Sequence, residues 1–323
     1  MMTFDVLTFG EALYRLTPPN ARRIAGATHF DFFVGGAEAN VAVGLARLGL
    51  RSAWLSRLTD NALGQHIAAT LRGQNVDVSR VIWTPEDRVG LYFMEEGTPP
   101  RASHVIYDRA NSAMSRITPA DIPDDLFRRG EGKLFHTTGI TLALSESALQ
   151  SAAHAWDLAR TAGYTLSFDL NHRRRLWSDT DARAACQPFL RSADVIFIAQ
   201  RDAQTVLGLS GSADEIIEQL HAQYPAAHIA MTRGAAGAIA CDASGQVVHQ
   251  AAFPVTAIGR IGAGDAFAAG FLYAHLSGKP LDEMCRWASA CAALKLTIPG
   301  DMPLIDRAML DDLLAHDGGD VSR

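Results

Sequence analysis

The chain has 323 residues, 48% hydrophobic and 20% charged, which is ample for one large α/β domain or two smaller ones. Its 29 Lys and Arg against 35 Asp and Glu give a formal net charge of -6, so there is no broad basic field for nucleic acid and a small-molecule partner is expected. The four cysteines, Cys186, Cys241, Cys285 and Cys291, show no Cys-x-x-Cys pair and no zinc spacing, and read as buried free thiols. Met1 to Gly10 lacks a basic segment followed by an apolar one, and no apolar run is long enough to span a bilayer. No membrane partner is expected, and the cytoplasm is the expected compartment.

In chain order, the first apolar stretch bounded by turn residues is DVLTFG (5 to 10), which reads as a buried strand. GGAEANVAVGLARLG (35 to 49) then places Gly35 and Gly36 before a helix that runs to Leu48 and is closed by Gly49. The glycines permit close backbone approach and Asn40 offers a donor and acceptors to a polyol; a plain turn with a capping asparagine explains the same residues equally well. A second strand is predicted at SAWLSRL (52 to 58).

VGLYFMEE (89 to 96) and SHVIYDR (103 to 109) alternate apolar and polar residues across GTPPRA, the pattern of a hairpin with one solvated face. Such a hairpin does not fit inside a parallel core. It is expected to project as a small sheet joined by the segment around Tyr14 to Phe33, either a lid over a site or an ornament on an edge. Buried strands resume at KLFHTTG (133 to 139), YTLSFDL (164 to 170), ADVIFIA (193 to 199) and HIAMTRG (228 to 234). Helical stretches separate them, such as 145 to 162, which Ser145 can cap and Gly163 can close. The alternation implies one α/β unit over residues 1 to 323 with a mostly parallel sheet, and a small sheet from about 11 to 34 and 88 to 115.

The most informative segment is IGRIGAGDAFAAGFLYAHLSG (258 to 278), a glycine-rich turn running straight into a small, apolar helix. Amides of Gly262, Ala263 and Gly264 can converge at the positive end of the helix dipole and form an anion hole. Asp265 beside it can accept a proton from an attacking hydroxyl while the amides stabilise a transferred phosphoryl group. A lone acid at a helix start is usually explained by the dipole; the close glycines favour the catalytic reading here. A dinucleotide fingerprint would need glycine where Phe267 stands, and the Gly-Lys-Ser/Thr of a Walker A loop is absent.

At these two glycine motifs the chain resembles the ribokinase-like PfkB carbohydrate kinases: GAGDAFAAG matches their C-terminal signature and GGAEANVAVGLARLG their N-terminal one, in the family's order. The resemblance implies a Rossmann-like central sheet flanked by helices with a small β lid, ATP as donor, and Mg²⁺ bridging its phosphates. It implies Asp265 as base, Gly262, Ala263 and Gly264 as anion hole, and Thr232, Gly234 and Gly237 of MTRGAAGA as nucleotide-facing, where a plain turn is the alternative. The family's Asn-x-x-Glu is replaced here by Gln200, Arg201, Asp202 and Ala203, so no metal ligand is assigned.

Within the family, FGEALYRLTPP (9 to 19), GLYF (90 to 93), YDRANSAMS (107 to 115), DLNHRRRLW (169 to 177) and ALKLTIPGD (293 to 301) look like 2-keto-3-deoxygluconate kinases. A sugar acid needs a cation for its carboxylate, and Arg109 and Arg173 are the expected clamps. Tyr92 and Tyr107 would add hydroxyls and ring faces, beside Gly35, Gly36 and Asn40. Without the resemblance Tyr107 and Arg109 read as an exposed strand face, while Arg174 and Arg175 are expected to be solvated. The expected reaction phosphorylates the terminal hydroxyl to give the 6-phosphate. A fructokinase or other neutral-sugar kinase is the alternative, and a catalytically silent sugar-binding regulator the reading from another class. Exposed edges of the lid leave open the pairing of two copies across a two-fold axis.

Overall fold

The structure is a computed structural model describing residues 4–97 and 100–316. Its strands are β1 (Val6–Phe9), β2 (Leu13–Thr17), β3 (Asp31–Gly35), β4 (Ser52–Thr59), β5 (Val76–Asp77), β6 (Val81–Thr84) and β7 (Leu91–Glu95). They continue with β8 (His104–Asp108), β9 (Leu134–Thr138), β10 (Thr165–Asp169), β11 (Val195–Ala199), β12 (His228–Thr232), β13 (Ala238–Cys241) and β14 (Val247–Gln250). The helices are α1 (Ala37–Arg47), α2 (Ala62–Arg72), α3 (Gly139–Leu142), α4 (Glu146–Ala162) and α5 (Asp179–Ser192). After them come α6 (Gln200–Thr205), α7 (Ala213–Gln223), α8 (Ala263–Leu276), α9 (Leu281–Leu296) and α10 (Arg307–His316).

Ten strands form the large sheet in the order β14-β13-β12-β11-β10-β9-β1-β4-β5, with β6 also pairing β4. From β12 across to β4 neighbouring strands run parallel, and antiparallel pairing is confined to β13 and β14 at one edge. Every residue of β1 and β9 is buried, because helices cover both faces; β1 is apolar but for Thr8, whereas β9 buries His136, Thr137 and Thr138 beside Leu134 and Phe135. On one face Phe135, Trp156, Phe168 and Phe189 stack between the sheet and helices α4 and α5. On the other, α8 packs on α9 and α1, with Phe197 of β11 set edge-on against Phe267 and Phe271. Local signals agree with this arrangement: Ser145 Oγ accepts from the Ala148 amide at 3.0 Å, and Gly163 closes α4 at φ 79°.

The second sheet has the order β3-β2-β7-β8, with β7 and β8 an antiparallel hairpin and β2 joining it in parallel. Val105 and Tyr107 of β8 are half-buried while His104, Ile106 and Asp108 are exposed, which is the one-sided alternation read from the sequence. Arg175 is exposed, as expected, and makes one contact with this sheet. Its Nη1 donates to the Val105 carbonyl, because the loop leaving β10 passes the free edge of this small sheet.

Parallel strands leave their carboxyl ends along one edge, and the helices that follow start there with their N-termini facing the same crevice. That edge carries Thr138, Asp169, Ala199 and Thr232, the last residues of β9, β10, β11 and β12.

Candidate active site

The turn before α8 is shaped by one residue that must be glycine. Gly262 sits at φ 81°, and a Cβ there would lie 1.9 Å from the Asp301 carbonyl oxygen. Gly264, one turn-step on, has no atom within 4 Å of its Cβ position, so its backbone faces open space. Asp265 follows in the first helical turn, and its Oδ2 accepts from Asn40 Nδ2 at 2.7 Å. The two glycine motifs, 225 residues apart in sequence, meet in that single hydrogen bond.

Burial raises the Asp265 carboxyl to about 6; the Asn40 bond and the Arg173 charge hold it down against this, while Asp301 adds to the rise. The amide oxygen of Asn40, Oδ1, is buried with no protein partner among the described residues, an acceptor waiting for a donor. A hydroxyl entering here would find an acceptor amide oxygen and a carboxylate side by side.

A cavity of about 500 Å³ lies between the crevice and the small sheet. Asn40, Gly36, Tyr92, Tyr107, Arg109 and Arg173 line it, together with Gly262, Gly264 and Asp265. Gly35 does not. A Cβ on Gly35 would strike the Asp301 side chain at 2.4 Å, and one on Gly36 the Glu11 carbonyl at 2.1 Å, so the close approaches these glycines permit are to protein atoms. A second cavity of about 580 Å³ is lined by Thr232, Gly234, Gly237, Ala263 and Gly264, with Phe253, Pro254, Val255 and Leu296 as apolar walls. The two meet at Thr232, Arg260, Gly264 and Phe267.

The cationic groups differ from expectation in one respect. Arg109 is already engaged: Nε donates to Glu11 Oε2 at 2.8 Å, Nη2 donates to the same oxygen, and Ser112 Oγ donates to Glu11 Oε1. Arg201 is likewise paired with Asp202. Arg173 and Arg260 line the cavity with no ion pair among the described residues. Tyr92 donates its hydroxyl to Asp301 Oδ2 at 2.6 Å, and Arg15 Nε donates to Asp301 Oδ1 at 2.6 Å, so Asp301 ties the small sheet to the loop behind Gly262.

Several acids escaped the sequence reading although the strings that contain them were singled out. Asp169 lies in the cavity wall, raised to about 8 by burial and then by Asp265 and Asp202, with Arg173 opposing. Glu38 is buried behind Asn40 and accepts from the Thr138 amide at 3.0 Å, Thr138 Oγ1 at 2.8 Å and Thr141 Oγ1 at 2.7 Å; burial raises it to about 7. Asp202, inside the altered Gln200 to Ala203 stretch, also faces the cavity. Among the described residues no group of three or more His, Cys, Asp or Glu is placed to hold a metal ion on its own.

The sequence matches the pfkB family carbohydrate kinase profile over residues 3–307. It is 38% identical over 320 residues, 99% of each chain, to the 2-dehydro-3-deoxygalactonokinase of Haloferax volcanii. It is 32% identical over 306 residues to the 2-dehydro-3-deoxygluconokinase of Bacillus subtilis, covering 93% of this chain and 92% of that one. The crystal structure of 2-dehydro-3-deoxygluconokinase from Thermotoga maritima superposes with a TM-score of 0.90 at 32% identity, covering 97% of this chain and 98% of the other. With a buried carboxylate and a glycine turn where two cavities adjoin, and with this match over nearly its whole length, the chain belongs to the pfkB family of carbohydrate kinases.

Proposed function

We propose that this kinase transfers the γ-phosphoryl group of ATP to the terminal hydroxyl of 2-keto-3-deoxygluconate, giving the 6-phosphate and ADP. The observation that carries this reading is Arg173, an unpaired guanidinium in the same cavity as Asp265. An acid with a carboxylate at one end and a primary hydroxyl at the other satisfies both groups. Tyr107 lines the same space, and Arg109 serves it indirectly, by holding Glu11 in the wall.

Asn40 fixes Asp265 Oδ2, which leaves Oδ1 as the atom that takes the hydroxyl proton. The amides of Gly262, Ala263 and Gly264 face the transferred group at the helix start, and the apolar groove beyond Gly264 suits the nucleotide base. The small sheet acts as a lid that keeps water from the reacting oxygen. Mg²⁺ bound with ATP neutralises phosphate charge and asks for only one or two carboxylates from the protein. Asp202 and Asp169 fit that demand: both face the cavity, and the repulsion that Asp202 and Asp265 add to Asp169 is what a divalent cation relieves.

No helix among the described residues is long and apolar enough to cross a membrane, and the four cysteines are free and buried; we read the enzyme as cytoplasmic. Phe32 and Ile106 are exposed on the small sheet, a surface through which two copies would pair.

A second reading has specific support, since the 38% identical relative is a 2-dehydro-3-deoxygalactonokinase. The two acids are epimers at C4 and present the same carboxylate and terminal hydroxyl. An ADP-release assay over 2-keto-3-deoxygluconate, 2-keto-3-deoxygalactonate and fructose decides the matter. The highest kcat/KM is expected with the gluconate; a higher value with the galactonate selects the second reading, and a higher value with fructose rejects the carboxylate clamp.

A further inference from the structure

Lys295, near the end of α9, is fully buried among the described residues, and neither the proton transfer nor the sugar clamp uses it. A lysine in that position has to find oxygen partners or surrender its charge. Its Nζ donates to the carbonyl of Ile298 at 2.9 Å and to that of Gly300 at 3.1 Å. Two main-chain carbonyls from a tight loop around an ammonium form the kind of oxygen cage that holds a bare monovalent cation. The cage lies directly behind the phosphate-receiving turn: a Cβ on Gly262 would meet Lys295 Cε at 3.2 Å and the Asp301 carbonyl at 1.9 Å. The same loop is stitched to the turn on its other side, where the Ile258 amide donates to the Leu296 carbonyl at 2.7 Å. Burial lowers the Lys295 ammonium from its ordinary value and the Arg15 charge adds to that, while the negative charges of Asp301 and Asp265 act against the drop.

We propose that Lys295 is a positioning residue whose ammonium is a built-in monovalent cation. It gathers the Ile298 and Gly300 carbonyls behind Gly262 and so aims the Gly262, Ala263 and Gly264 amides without help from an ion in solution. The consequence is a kinase indifferent to which monovalent salt surrounds it. A variant with the cage intact and the ammonium removed should need an ion to fill it. The inference rests on membership of the kinase family and on the cage, not on the sugar acid proposed above.

The test therefore uses whichever sugar gives the highest rate in the panel. Wild-type kcat is measured at one ionic strength in potassium, sodium and tetramethylammonium chlorides. The expected values agree within about two-fold, and a potassium rate about five-fold or more above the tetramethylammonium rate overturns the proposal. Lys295→Ala and Lys295→Met are expected to lose about 100-fold in kcat, the scale seen when one donor of a preorganised anion hole is misplaced, with sugar KM much less affected. Adding ammonium or potassium chloride should restore about ten-fold or more to the Ala variant, whose cavity admits the ion, and leave the Met variant, whose thioether fills it, unchanged. A folded Ala variant that responds to no monovalent cation overturns the proposal, as does a Met variant with wild-type kcat. The wild-type salt series decides by itself if neither variant folds.

Discussion

The sharpest test of the anion-hole geometry is a pair of single-methyl additions, Gly262→Ala and Gly264→Ala. At 262 the alanine inherits φ 81°, a conformation costing a non-glycine residue about 1–2 kcal/mol. Its Cβ would also stand 1.9 Å from the Asp301 carbonyl oxygen, a backbone atom with no rotamer to escape into. Relieving that overlap requires the turn and the 298–301 loop to separate by more than about 1 Å, and misplacement of that size in aligned catalytic groups costs about 100-fold in rate. At 264 no atom lies within 4 Å of the new methyl, and in the first turn of a helix alanine gains up to about 1 kcal/mol over glycine. That methyl, however, projects where the two cavities meet. Gly262→Ala should lower both the melting temperature and kcat; Gly264→Ala should keep or raise the melting temperature while raising the KM for ATP. Thermal unfolding followed by circular dichroism, with coupled ADP-release kinetics, separates the two. A Gly262→Ala protein with wild-type melting temperature and kcat would refute the claim that this turn is held in one sterically determined shape.

Other consequences are testable by the same means. Asp265→Asn should lower kcat by about two to four powers of ten while sugar binding by calorimetry is preserved, and near-normal turnover would remove it as the base. Because burial raises Asp265 to about 6 and only the ionised form accepts a proton, kcat/KM should fall as pH drops below that value; a flat profile down to about pH 5 contradicts the assignment. Arg173→Ala should raise KM for a sugar acid far more than for a neutral ketose, whereas Arg109→Ala should lower the melting temperature by leaving Glu11 buried with one partner fewer. Glu38 has a folded-state value raised to about 7 from an ordinary 4.5, so its native form holds a proton that the unfolded chain has lost. Stability from this source is present below the unfolded value and lost as pH rises through the folded one, so Glu38→Gln should flatten that decline in urea titrations and raise stability at pH 8 relative to wild type.

The parallel sheet was legible because strands buried on both faces are mostly apolar, as VIFIA is; LFHTT shows the limit of that rule, since it also buries His136, Thr137 and Thr138. The hairpin was legible for the opposite reason, since one wet face imposes alternation. Asp265, Asn40 and Gly262 to Gly264 could be found because glycine next to a helix start is a local pattern with a local cause. The acids around them have no such signature. Glu11 and Asp301 come from two loops and Asp169 from the end of β10, and only the folded backbone brings them to one cavity. The pairing of Arg109 was hidden on the same ground, because its partner Glu11 lies 98 residues away. Lys295 carries no local signal either; its oxygen partners come from a loop that doubles back beneath it.

Asp301 is where these pieces become one mechanism. Its carboxylate receives Tyr92 and Arg15 from the small sheet, each at 2.6 Å, and its own carbonyl presses on the Gly262 turn. Phe33 of the same sheet covers Arg15 at 4.4 Å, which shields that ion pair from water and strengthens it. A sugar that orders Tyr92 therefore acts on the side chain of the residue whose backbone bounds the anion hole. On the mechanism proposed above, closure of the lid and alignment of the phosphate-binding amides would be a single event, and a water molecule, which cannot order the lid, would be a poor acceptor for the phosphoryl group. Asp301→Asn, which can accept from only one of the two donors through an oxygen, should loosen this link: sugar phosphorylation falls while the slow hydrolysis of ATP in the absence of sugar stays where it was or rises. Equal losses in both activities would mean that Asp301 merely supports the fold.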